Sequence, residues 1–225
     1  MVLTLFDLDH TLLPLDTNQA WVSFLSDVGA ADGEKLLPEA LAMKKRYLAG
    51  GADPDIPFCE FFIGTLTRFA YPELLALRDR FVTEVVVPAI SDAARHLVQS
   101  RKDDSDVIAI ITATNEFITR PVADAFGIAE LIATRCEWKD GAFTGRTLGT
   151  PSMRSGKVTR VAEWLKGGAV QGVSRREDLS RLRFYSDSIN DLALLEEADE
   201  PIAVNPDAGL QQIAHERGWP MLSLH

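Results

Sequence analysis

Cysteine is nearly absent: Cys59 and Cys136 are the only thiols in 225 residues, far apart and without a CxxC spacing. Alone they build no zinc site, and they read as two free thiols of a reducing compartment rather than a disulfide framework. Histidine is almost as scarce, and His96, His215 and His225 form no metal-ligand motif. Basic residues do not balance the acids. The formal net charge of −10 excludes the basic footprint that a nucleic-acid backbone requires, and it serves solubility. The segment Met1 to Leu8 has no basic region and meets acids at Asp7 and Asp9. Neither a signal peptide nor a membrane span is expected there, and the expected location is the cytoplasm. No internal repeat and no low-complexity tract occurs, and no feature fixes an oligomeric state. What remains is ordinary globular composition, 46% hydrophobic and 25% charged, with room for one domain or for a core carrying an insertion.

Four short apolar runs read as buried strands: Val2 to Phe6, Val107 to Ile111, Leu182 to Tyr185, and Pro201 to Val204. They stop at Asp7, Thr112, Ser186 and Asn205, so polar or acidic residues collect at one strand edge, where open parallel sheets bind ligands. Helical patterns lie between them, as parallel connections require. Ser91 reads as the N-cap of a helix through Val98. Asn115 caps a segment to Phe126 with Gly127 as its stop, and Pro121 predicts a break within it. Lys157 to Lys166 and Asp207 to Arg217 are further helices, the second closed by Gly218. Trp138 to Thr147 reads as a β-hairpin turning at Asp140-Gly141.

From about Asp16 to Val87 the pattern is helical only. Amphipathic stretches are expected around Ala20 to Val28, Leu36 to Leu48, Phe58 to Phe69 and Pro72 to Val86, with a loop at Gly50-Gly51-Ala52-Asp53-Pro54. The expected division is an α/β core of residues 1–15 and 88–225 and a helical insert of residues 16–87.

The chemistry sits at the strand ends. In Asp7-Leu8-Asp9-His10-Thr11 two carboxylates stand two residues apart. They share one side if the strand continues, and splay around one centre if the chain bends. A carboxylate that attacks phosphorus needs a cation against charge repulsion and an acid to protonate the leaving oxygen; Asp-x-Asp can supply the nucleophile and the acid, or be a chance acidic loop. Thr112, with Ala113, Thr114 and Asn115 at a helix start, offers a hydroxyl and free N–H groups as a phosphate cradle, or is simply a capped helix. Lys157 opposes the dipole at the start of its helix, which calls for an anion, or it is a solvated lysine. Ser186-Asp187-Ser188-Ile189-Asn190-Asp191 supplies carboxylates of the kind that hold Mg²⁺.

Four motifs in this order, DxDxT at Asp7 to Thr11, Thr112, Lys157, and SDSxND at Ser186 to Asp191, resemble the haloacid dehalogenase superfamily of phosphohydrolases across nearly the whole chain. The resemblance implies a Rossmann-like α/β parallel core with a helical type-1 cap after the first strand. It implies a Mg²⁺-dependent phosphatase acting on a small-molecule phosphomonoester. Asp7 would be nucleophile and metal ligand, and Asp9 the acid and base, giving its backbone carbonyl to the metal. Thr112 and Lys157 would hold the phosphoryl group, with Ala113 and Asn115 beside it. Asp187 would bind metal, supported by Asn190 and Asp191.

Within the superfamily the chain resembles the phosphoserine phosphatase-like branch, subfamily IB. Thr112 to Asn115 with Ile118 to Ala123, and Ala203-Val204-Asn205-Pro206-Asp207, are similar to members assigned as histidinol-phosphate phosphatases. Asp16 falls where that branch carries an acid for the substrate amine, or it caps the helix from Thr17. His10 would shape the pocket. Phosphoserine carries a carboxylate that calls for a cap arginine; Arg46 and Arg68 match no such role, which tilts the expectation to histidinol phosphate. The competing expectations are a phosphotransferase or mutase using the same intermediate, a dehalogenase, and a catalytically silent binding module. The last would be marked by loss of Asp7, Asp9 or Lys157, and all three are present.

Overall fold

Period-two alternation decides how the strands sit. Leu3, Leu5, Ala109 and Ile111 face one side of the sheet, whereas Phe6 and Ile110 face the other. The computed structural model describes residues 1–48 and 54–225. Its strands are β1 (Val2–Phe6), β2 (Val107–Asn115), β3 (Glu130–Thr134), β4 (Cys136–Lys139), β5 (Ala142–Thr147), β6 (Arg181–Ser186), β7 (Glu200–Val204) and β8 (Met221–Leu222). Six of them form one sheet in the order β3-β2-β1-β6-β7-β8, every neighbouring pair parallel. The chain is therefore an α/β protein with a Rossmann-like core. The order reverses at β1, whose neighbours are β2 and β6, and this is where such sheets open a crevice for ligands.

The helices are α1 (Thr17–Asp27), α2 (Gly33–Leu48), α3 (Asp55–Leu66), α4 (Tyr71–Phe81), the single turn α5 (Val87–Ala89), α6 (Asp92–Asp104), α7 (Glu116–Ala125), α8 (Gly156–Lys166), α9 (Leu192–Glu197) and α10 (Ala208–Arg217). A wider π-type stretch, Val82–Val86, joins α4 to α5. On one sheet face Leu3, Leu5, Leu182 and Phe184 pack against Val161, Leu165, Leu194 and Leu210. On the other, Phe6 and Ile110 join an apolar cluster that continues into the helical block through Trp21, Leu25, Phe62 and Phe81. Trp21 packs edge-on to Phe81, and its indole N–H donates to the Thr65 hydroxyl at 3.0 Å, so the polar tip of a buried aromatic is satisfied.

The helix caps follow local chemistry. Ser91, Asn115 and Asp207 each accept a backbone N–H from the first turn of the helix they open. Gly218 closes α10 in the left-handed region, φ 67°. The hairpin of β4 and β5 turns at Asp140 and Gly141, both with positive φ, as a type I′ turn requires.

Several expectations need correction. β3 and β8 join the four strands legible in the sequence. β2 runs past Thr112 to Asn115, with an irregular register between those two residues. Pro121 does not break α7; its missing N–H removes one bond, to the carbonyl four residues back, and the rest of the helix persists around it. The Gly50 to Asp53 part of the expected loop lies outside the described residues. No helix among the described residues is long and apolar enough to cross a membrane.

Candidate active site

The chain bends sharply after β1. Asp7 N–H still donates to the Tyr185 carbonyl, whereas the N–H groups of Leu12 and Leu13 turn back to the Leu8 carbonyl. His10 adopts left-handed backbone, φ 58°. The bend turns Asp7 and Asp9 into separate surroundings, both at the edge of one cavity of about 200 Å³.

Asp7 faces the carboxyl end of β6 and the amino end of α8. Lys157 Nζ lies 2.6 Å from Asp7 Oδ1 and 2.6 Å from Asp191 Oδ2, and all three side chains are buried. Lys157 reaches that position because α8 starts tightly against the preceding loop: a side chain at Gly156 would come within 2.3 Å of the Pro151 carbonyl oxygen. Asp191 is held further by the Ser186 hydroxyl at 2.7 Å. The Thr11 hydroxyl lies 3.3 Å from Asp7 Oδ2 and 3.2 Å from Asp187 Oδ1, and it accepts the Asp187 N–H at 3.0 Å. One threonine therefore sets the spacing between two acids that are 180 positions apart in chain order by a single short bridge.

Asp9 looks the other way. Its Oδ1 accepts the Thr17 N–H at 3.0 Å and its Oδ2 the Thr114 hydroxyl at 2.9 Å, while Thr17 and Thr114 join hydroxyls at 3.0 Å. Burial, then repulsion from Asp16 and Asp7, raises the Asp9 carboxyl to about 7. Burial, opposed by Lys157 and reinforced by Asp191, raises Asp7 to about 6. Burial, then repulsion from Asp7 and Asp191, raises Asp187 to about 8. Lys157 is shifted upward by Asp191 and Asp7, against its own burial, and stays charged.

Those shifts carry a sign for stability. The folded, metal-free protein holds protons that the unfolded chain has already released, so these three groups make stability fall as pH rises from about 4 to about 8. A cation that takes the place of those protons reverses the loss. Added Mg²⁺ is therefore expected to raise the melting temperature more at pH 8 than at pH 5, by calorimetry on metal-free protein. An equal gain at both values would contradict the charge count of the site.

That count fits a divalent ion. Lys157 is one cation among Asp7, Asp187 and Asp191, which leaves an excess of carboxylates over cations at this edge of the cavity. No three His, Cys, Asp or Glu side chains among the described residues form a ready-made metal cage. Mg²⁺ needs none, since it takes one or two carboxylates and completes its shell with water and substrate phosphate. Asp7 and Asp187, bridged by Thr11, suit it.

The remaining sequence candidates separate. Thr112, Ala113, Asp16 and Asn190 line the cavity with Asp7, Asp9, Lys157, Asp187 and Asp191. Asn115 does not: its Oδ1 caps α7 through the Ile118 N–H at 3.1 Å. The Thr112 hydroxyl accepts the Thr114 N–H at 3.2 Å. Asp16 caps α1 with one oxygen and pairs with Lys44 through the other, at 2.9 Å. The sequence placed Thr11 only within the DxDxT motif and Thr114 only within the expected cradle, and it gave no role to Thr17, Lys44, Tyr47 or Arg154. Arg154, φ 49°, stacks 4.5 Å over the Tyr47 ring, donates to its hydroxyl at 3.1 Å, and pairs with Asp55 at 3.3 Å. Arg46 and Arg68 are exposed and lie outside the cavity lining.

Comparison with known proteins gives the family and the fold. Residues 4–196 match the model of the haloacid dehalogenase-like hydrolase family. A histidinol-phosphatase of Neisseria meningitidis serogroup C is 40% identical over 224 residues, 98% of each chain. A crystal structure of a protein of unknown function from Bordetella pertussis Tohama I superposes with a TM-score of 0.93 at 42% identity, covering 100% of this chain and 99% of the other. A substrate-bound phosphoserine phosphatase shares the fold, with a TM-score of 0.66 at 17% identity over 99% of this chain and 92% of the other. A match that begins inside β1 and ends in the last turn of α9 takes in Asp7, Asp9, Lys157, Asp187 and Asp191, and the chain belongs to the haloacid dehalogenase-like hydrolase family.

Proposed function

We propose that this chain is a Mg²⁺-dependent phosphatase that hydrolyses a small phosphomonoester, histidinol phosphate, through an aspartyl-phosphate on Asp7. The observation that carries it is the buried contact of Lys157 with Asp7 and Asp191 at the mouth of the crevice. It keeps a carboxylate charged and aimed at a cavity that Thr112 also lines. Asp7, Asp187 and the Asp9 carbonyl would hold Mg²⁺, whose charge offsets repulsion between carboxylate and phosphate, with Asn190 and Asp191 in support.

Asp7 attacks phosphorus, an Asp7 oxygen–phosphorus bond forms, and the ester oxygen leaves with the bonding pair. Asp9, raised to about 7, has a proton to give that oxygen near neutral pH. Thr17 and Thr114 fix the direction from which it comes. Asp9 then takes a proton from water as the water oxygen bonds phosphorus, the acyl-phosphate bond breaks, and inorganic phosphate leaves with Asp7 restored. Lys157 and Thr112 hold phosphoryl oxygens throughout, so positioning and charge carry most of the rate. Residues 16–87 would act as the cap that excludes water and selects substrate.

Two observations favour histidinol phosphate over phosphoserine. The Neisseria relative, similar over its whole length, bears the name histidinol-phosphatase. Among the described residues, each cation lining the cavity already faces a carboxylate: Lys44 meets Asp16, Arg154 meets Asp55, and Lys157 meets Asp7 and Asp191. A substrate carboxylate finds no free partner there, and an unmatched polar group is what a selective site rejects best. Tyr47, Phe58 and Met153 give the cavity apolar walls for a ring, whereas Asp16 is committed to Lys44 and to the α1 cap.

The test is phosphate release from a panel of phosphorylated metabolites with Mg²⁺ and with EDTA. Histidinol phosphate should exceed phosphoserine in kcat/KM by roughly 100-fold or more, and EDTA should abolish both. Equal or better turnover of phosphoserine would overturn the substrate. Phosphate release from none of them would overturn the function.

A further inference from the structure

Both turns that carry the site's acids are tied to a third, Asn205-Pro206-Asp207, which follows β7. Asp207 N–H donates to the Asp187 carbonyl at 2.7 Å. Its Oδ2 accepts the Ile189 N–H at 2.9 Å and the Ser188 hydroxyl at 3.2 Å. Its Oδ1 accepts the Leu210 N–H at 2.8 Å and so caps α10. On the opposite side, Asn205 Nδ2 lies 3.4 Å from the carbonyl of His10, the residue after Asp9, and its Oδ1 accepts the Leu224 N–H at 3.0 Å.

Asn205 and His10 are both left-handed, φ 42° and 58°, a conformation that residues other than glycine keep where the surroundings hold them in it. Capping α10 needs one oxygen of Asp207. The other oxygen and the backbone N–H have no helical task, and all three of their bonds go to residues Asp187, Ser188 and Ile189.

Resting on the metal role proposed for Asp187, we propose that the Asn205–Asp207 turn is a positioning brace that holds the Asp187 turn and the Asp9–His10 turn at one fixed spacing. Asp207 touches no substrate. It acts through Asp187, whose carbonyl and following two residues it immobilises, and Asn205 acts through the His10 peptide. Mg²⁺ tolerates little deviation from octahedral geometry, and partners that orient its ligands commonly govern affinity by 10–100-fold. A brace between two ligand-bearing loops is where such an effect would originate.

Asp207→Ser separates capping from bracing. Serine still caps α10 but is too short to reach Ser188 and Ile189. Metal-free Asp207→Ser should melt near the wild type, while the Mg²⁺ concentration that gives a half-maximal thermal shift rises about tenfold or more. In turnover its kcat should fall and its Mg²⁺ requirement rise, with KM for the phosphoester little changed. Asp207→Asn keeps a capping oxygen and the side-chain length and loses an acceptor for the Ile189 N–H, so its Mg²⁺ shift should fall between the two. It decides the matter if the serine variant does not fold. Wild-type Mg²⁺ titrations for both variants would make Asp207 a helix cap and nothing more. A wild-type protein with no Mg²⁺-induced shift would remove the metal role of Asp187, and the brace with it.

Discussion

Asp7→Asn is expected to lower turnover by roughly 10⁴-fold or more, the scale on which loss of a catalytic nucleophile is felt, while the protein remains folded. Asparagine keeps the shape of the side chain: its one oxygen can accept from Lys157, and its amide NH₂ can donate to the Thr11 hydroxyl oxygen. It cannot form the aspartyl-phosphate. Burial is the largest influence on Asp7 and works against its charge, raising it to about 6. The neutral variant escapes that penalty, and Lys157 retains Asp191 as its ion-pair partner at 2.6 Å. Metal-free Asp7→Asn should therefore melt at or above the wild-type temperature at pH 8 and respond less to Mg²⁺. Loss of activity together with collapse of the fold would assign Asp7 to structure rather than chemistry.

Lys157→Met should do the opposite to stability and the same to activity. The lysine side chain is 2% exposed and lies between two carboxylates, each 2.6 Å away. Removing one partner of a buried ion pair leaves uncompensated charge and commonly costs about 3–5 kcal/mol. Here the charge left behind is double. The loss should be largest at pH 8 and smaller at pH 5, where Asp7, already raised to about 6 with the lysine present, takes up a proton. Denaturant unfolding at the two pH values measures it. A Lys157→Met protein as stable as wild type at pH 8 would mean that water reaches Asp7 and Asp191 and that the site is not dry. The two variants together separate charge from chemistry: both abolish turnover, and only one destabilises.

Much of the site was legible because its chemistry is local. Asp7, Asp9, Thr112, Asp187 and Asp191 end or follow apolar runs that can only be buried strands, and Lys157 opens a helix with a clear apolar face. Ser91, Asn115, Asp207 and Gly218 mark helix ends through residue types whose capping chemistry acts within three or four positions. What escaped depends on partners distant in the chain. β3 and β8 are strands because β2 and β7 lie beside them; Glu130 to Thr134 is short, and Met221–Leu222 is shorter still. Asp9 is held by Thr17 and by Thr114, the latter 105 positions away, and nothing local in the sequence pairs either threonine with it. The pairing of Asp16 with Lys44 and of Arg154 with Tyr47 and Asp55 closes α2 and α3 over the crevice. Two residues misled for physical reasons. Asn115 sits beside the cradle residues, yet its side chain is needed by α7, and Pro121 forfeits one helical bond without ending the helix.

The central claim is that phosphate passes through a covalent bond to Asp7, and acid quenching during steady-state turnover tests it most directly. With substrate labelled in its phosphoryl group, the quenched protein should carry hydroxylamine-sensitive label on the peptide that contains Asp7, and Asp7→Asn should carry none. Rapid phosphate release with no label on the protein, or with label on any other side chain, would contradict the account.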